Sequence, residues 1–73
     1  MPRYKLQPSE TPNKWVCTDT ENLIVCVWEN KKFNDTQQMT TLKDFDPANF
    51  MQVARYMREM GDWLRENHYS KIF

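Results

Sequence analysis

The run Leu23-Ile24-Val25-Cys26-Val27-Trp28 constrains what this chain can fold into more than any other stretch of it. Its β-branched and aromatic content reads as a strand. A strand covered on one face alternates apolar with polar residues, because successive side chains point to opposite faces of a sheet. These six do not alternate, so the strand calls for cover on both sides. The run is also far short of the roughly twenty apolar residues that span a bilayer.

Its neighbours follow from turn chemistry. Lys14-Trp15-Val16-Cys17-Thr18 is a second β-rich run, and Asp19-Thr20-Glu21-Asn22 supplies side chains that cap their own backbone between the two. The result is a hairpin, Trp15–Thr18 against Leu23–Trp28. An odd pairing sum puts Trp15, Cys17, Ile24, Cys26 and Trp28 on one face and Val16, Leu23, Val25 and Val27 on the other. A second turn at Glu29–Lys32 leads to a third strand, expected near Phe33–Met39. Residues 1–13 read as an arm or edge strand, in which Tyr4 and Leu6 alternate with Lys5 and Gln7 until Pro8 and Pro12 break it.

The period then changes. Asp46-Pro47 sets an N-cap residue before a proline at the first helical position, and one helix is predicted over 46–68. Trp63, Tyr56, Met60, Val53, Leu64, Met57, Phe50, Gly61 and Ala54 fill one arc of it, opposite Glu59, Glu66, Arg55, Asp62, Arg58 and Arg65. Gly61 within the apolar arc points to close approach of another backbone. The expected architecture is a small two-layer α+β domain. A three-stranded antiparallel sheet, four-stranded if the arm joins, packs on one C-terminal amphipathic helix. Residues 1–73 form a single domain in this reading, with arm 1–13, sheet region 14–42, helix 46–68 and tail 69–73.

Ten basic residues balance ten acidic ones, so the surplus that usually supports phosphate binding is missing. Met1-Pro2-Arg3-Tyr4 opens no apolar signal region, and a cytoplasmic chain without membrane contact is expected. The sequon Asn34-Asp35-Thr36 is then a chance occurrence. Cys17 and Cys26 fit buried free thiols in a reducing compartment, although the hairpin register also allows a cross-strand disulfide. With His68 they would make three metal ligands, but an eight-residue gap matches no zinc spacing and a fourth ligand is wanting. His68 reads more simply as a helix C-terminal residue favoured by the dipole. No catalytic residue and no cofactor are assigned, since the lone His68 lacks a partner and both thiols lie in apolar strands.

Two functional classes remain. In the first the chain is a protein-interaction module that binds itself as a homodimer or another protein. Trp15, Trp28, Ile24, Tyr4 and Phe73 are its candidate contact residues. An intramolecular alternative has the arm (Tyr4, Leu6) or the tail (Ile72, Phe73) folding over the second sheet face. In the second class the sheet binds nucleic acid through Lys14, Lys31 and Lys32, with Trp15 and Trp28 stacking on bases. The helix charges interleave, and Arg55–Glu59, Arg58–Asp62 and Asp62–Arg65 read as a self-paired solvated surface. The segments Trp15–Asn22, Phe33–Gln37 and Met60–Tyr69 resemble short uncharacterised proteins of bacterial mobile elements. That resemblance covers about a third of the chain. It implies a bacterial, accessory role and brings no activity or site with it.

Overall fold

A computed structural model describes residues 2–44 and 46–73. Four strands run β1 (Tyr4–Pro8), β2 (Lys14–Asp19), β3 (Ile24–Glu29) and β4 (Gln38–Thr41), each antiparallel to the next in the order β1-β2-β3-β4. The arm is therefore the fourth strand. Pro8 sits in it without cost, because an edge strand has one side free of ladder hydrogen bonds. The hairpin register is the odd one, with Trp15 opposite Trp28, Cys17 opposite Cys26 and Asp19 opposite Ile24. Extended through Leu6 opposite Cys17 and Met39 opposite Cys26, it collects one set of side chains under the helix.

Leu23 departs from the predicted strand. It takes a left-handed backbone (φ 56°), its N–H bonds to Asp19 O at 2.8 Å, and its carbonyl accepts from Leu42 N at 2.7 Å. The third strand is also displaced. Phe33–Thr36 forms a helical turn, α1, and only Gln38–Thr41 pairs with β3. Phe33 is the cause: at 1% exposure it fills the core edge-on to Trp28, ring centres 5.3 Å apart. Pairing Cys26 with Met39 sets Glu29 level with Thr36, so Phe33 falls in the connection between β3 and β4 and outside the ladder.

The predicted helix, 46–68, becomes a 3-10 turn and one long helix, and the predicted tail, 69–73, holds a short helix of its own. Asp46 Oδ1 accepts from Ala48 N at 2.9 Å and caps a 3-10 turn, Pro47–Asn49; α2 then spans Phe50–Asn67 and α3 spans Tyr69–Ile72. The break falls at His68 (φ −137°) and reverses the chain, so that Ile72 enters the core. The Lys71 carbonyl accepts from Trp28 Nε1 at 3.0 Å and from Lys31 N at 2.9 Å, tying this tail to the end of β3.

The core unites Cys17, Ile24, Cys26, Trp28, Phe33, Met60, Leu64 and Ile72, with Tyr4, Leu6, Trp15, Met39, Val53, Tyr56, Met57 and Trp63 packed around it. Only the C-terminal part of the predicted apolar arc is deeply buried. Phe50 and Ala54, assigned to that arc, are exposed, while Val53 between them packs at the edge of the core. Gly61 meets no foreign backbone. A Cβ there would face Arg65 Nη1 at 3.3 Å, and the Arg65 guanidinium lies 5.7 Å over the Phe33 ring. The missing side chain makes room for that arginine.

Candidate functional site

The inner sheet face is filled, and this relocates most of the candidate residues. Trp28 and Ile24 are each 1% exposed in the core and have no surface to offer a partner or a base. Trp15 is half-buried. Its Nε1 donates to Asn30 Oδ1 at 3.0 Å, and the Lys71 ammonium sits 5.2 Å over its ring. Tyr4 packs on Trp63 of the helix, ring centres 4.8 Å apart. The indole pair thus shares the helix-covered face, as the register requires, and cannot serve as interface anchors or stacking platforms. Phe73 alone of the five is exposed, beside Tyr69.

Neither the arm nor the tail closes the second face. Tyr4 and Leu6 point with Cys17 toward the helix, and Ile72 lies in the same core. The outer face therefore stands open among the described residues. Its centre is Val16 opposite Val27 and Thr18 opposite Val25, all half-buried by their neighbours in the sheet. Around them lie Lys5, Gln7, Lys14, Glu29, Gln38 and Thr40. An apolar centre with a polar rim is the composition of a protein interface.

The predicted lysines do come near one another. Lys14 opens β2 opposite Glu29, which closes β3, and Asn30 N bonds to Asn13 O beside Lys31. Carboxylates interrupt the cluster: Lys32 Nζ lies 3.7 Å from Glu29, and Lys14, Glu29 and Asp35 line one shallow hollow.

A polar network at the opposite end of the sheet was not foreseen. Asp19 is fully buried, with Oδ1 accepting from Glu21 N and Asn22 N and Oδ2 from Asn22 Nδ2, each at 3.0 Å. Arg3 Nε and Nη2 both reach Oδ2 at 3.1 Å, and Nη2 also reaches Glu59 at 3.1 Å. These bonds hold the start of β1, the β2–β3 turn and α2 together, which is a structural role. Glu59 is thereby engaged away from Arg55.

The remaining chemistry is quiet. Burial pushes the Cys17 thiol up to about 12, with the Asp19 charge adding to it, and burial with the neighbouring Cys17 does the same for Cys26. Both are free thiols. His68 packs on Trp63, ring centres 4.9 Å apart; burial, then the Lys71 charge, holds its pKa below the usual value. Among the described residues no three His, Cys, Asp or Glu side chains converge as metal ligands, and no helix is long and apolar enough to cross a membrane. Comparisons with protein-family models, curated proteins and solved structures gave no match.

Proposed function

We propose that this chain is a non-catalytic protein-docking module that binds through its open sheet face. The observation that carries the reading is the valine centre, Val16, Val25 and Val27, uncovered by any described segment and ringed by polar groups. Four strands about 4.8 Å apart and about five residues long give a face of roughly 300 Å². Stable complexes bury about 800 Å² per partner. A second copy seated on this face alone is therefore a weak, transient dimer, and a tighter partner must also engage an edge strand. Nucleic-acid binding is the second reading. Lys5 and Lys14 favour it, but with both indoles turned inward the outer face has no aromatic for bases to stack on.

Two measurements on the parent chain and Val25→Lys test the proposal. One is sedimentation over about a hundredfold range of concentration, which shifts an associating chain by mass action. The other is capture from the native host with and without nuclease. The expected result is nuclease-resistant association that Val25→Lys loses while its melting temperature holds. Association indifferent to Val25→Lys, or recovered only with nucleic acid, overturns it.

A further inference from the structure

The helix layer carries a second exposed surface, and its charges differ from those the sequence predicted. Glu59 is taken by Arg3 at 3.1 Å, and Asp62 lies beside Arg65 at 3.6 Å. The i,i+4 pairs Arg55–Glu59 and Arg58–Asp62 do not form, so Arg55 and Arg58, one turn apart, have no carboxylate partner among the described residues. Beside them on the same flank are Met51 and Ala54, and these four with Gln52 line one open hollow. Met51 is 79% exposed and Phe50 62%. Leu42, also exposed, lies between Thr41 and Lys43, which share a cleft of about 200 Å³ with Asn49, Gln52 and Val53. The first turn of α2 holds no acidic residue to neutralise this end.

Large apolar side chains in water beside two guanidiniums without carboxylates, Arg55 lying 5.8 Å over the Tyr56 ring, match a partner that brings both apolar side chains and carboxylates. Arginine binds carboxylate in a planar fork, and a helix laid along such a flank presents the two groups at i, i+3 and i+4. We infer that the Met51–Ala54–Arg55–Arg58 flank of α2 docks an acidic amphipathic helical segment of another protein. The surface rests on the reading of the chain as a binding module and not on the sheet face, which lies on the opposite layer. Polyanions suit it less well. Two cations release about two counterions, against the 6–10 phosphate contacts typical of a strong DNA binder. Membrane recruitment by charge commonly uses about 4–8 basic residues.

The test uses the full chain and a labelled synthetic peptide with leucines at helical spacing and glutamates flanking them. Three further probes are its twin with lysine in place of glutamate, a single-stranded oligonucleotide and phosphatidylserine vesicles. Saturable binding of the acidic peptide is expected, weakening with salt, with backbone amide shifts centred on residues 50–58. Affinity should fall about tenfold or more in Arg55→Glu/Arg58→Glu, a pair of exposed positions whose replacement leaves the circular dichroism unchanged. It should stand unaltered in Val25→Lys, which keeps failure of the sheet-face proposal separate from failure of this one. No saturable binding of the acidic peptide, equal binding of the lysine twin, or tighter binding of the oligonucleotide or vesicles overturns the proposal.

Discussion

The Tyr4 hydroxyl is buried beside Asp19 and Glu59 with no hydrogen-bond partner, and burial raises its pKa, so it stays protonated and unsatisfied. An unpartnered buried hydroxyl costs about 1–3 kcal/mol, while its ring still packs on Trp63. Tyr4→Phe should therefore stabilise the fold by about 1 kcal/mol in urea titration; a loss of stability would show that the oxygen has a partner after all. Asp19 works in the other direction. Burial alone would raise its carboxyl, but hydrogen bonds from Asn22, then from Arg3, outweigh it and hold the group below the usual carboxylate range. A folded pKa below the unfolded value of about 3.9 gives stability that is fully present above about pH 4 and lost as pH falls through the folded value. The urea midpoint should drop steeply below about pH 4, and in Asp19→Asn, weaker by about 2 kcal/mol at pH 7, that drop should be shallower. An equal acid slope in both would remove Asp19 from the account. In the sequence Asp19 reads only as a turn former. Its bond to Arg3 is invisible there, because the β1–β2 register, not proximity in the chain, sets Tyr4 opposite Asp19.

Among the elements, those written in a strong period were legible and those written by tertiary packing were not. The hairpin register followed from the turn that joins its two strands, and the main helix from its cap and apolar arc. The turn at Phe33 was missed because no local pattern tells a ring that it will meet Trp28, whereas the end of the main helix at His68 fell where the sequence put it. Leu64 lies at 0% exposure under the sheet, and Leu64→Ala should cost about 2–5 kcal/mol. An unmoved thermal midpoint would mean that the helix buries a different face. Gly61 offers the opposite test. Alanine in a helix interior is favoured over glycine by about 1 kcal/mol, and the added Cβ meets only the flexible end of Arg65 at 3.3 Å. Gly61→Ala should raise stability by up to about 1 kcal/mol. A net loss would show that the Arg65 contact with Phe33 is worth more than the helix gain.

At the scale of the whole molecule, two layers leave one sheet face and one helix flank in water on opposite sides. Leu23–Trp28 called for cover on both faces, and the described residues cover one, the face that also takes Tyr4, Leu6 and Ile72. Cys17 and Cys26 sit opposite one another at 0% exposure between the layers. With thiols pushed up to about 12, they should react with an aromatic disulfide reagent at pH 7 only when helix and sheet part. Low urea should speed that reaction in step with unfolding. Rapid stoichiometric reaction of the native chain would contradict the packing.

The meander order also fixes a sequence in time. All four strands precede the helix that covers them, and about 36 residues separate Trp28 from Leu64. At roughly 5–20 residues per second, the ribosome delivers β3 about 2–7 s before its cover. During that interval Ile24–Trp28, a β-branched stretch with no proline and no charge, is bare on both faces, which is the profile of an aggregation-prone segment. The nascent chain thus passes through its most adhesive state before it has a core, and the flanking Glu29, Lys31 and Lys32 stand where gatekeeping charges protect such strands.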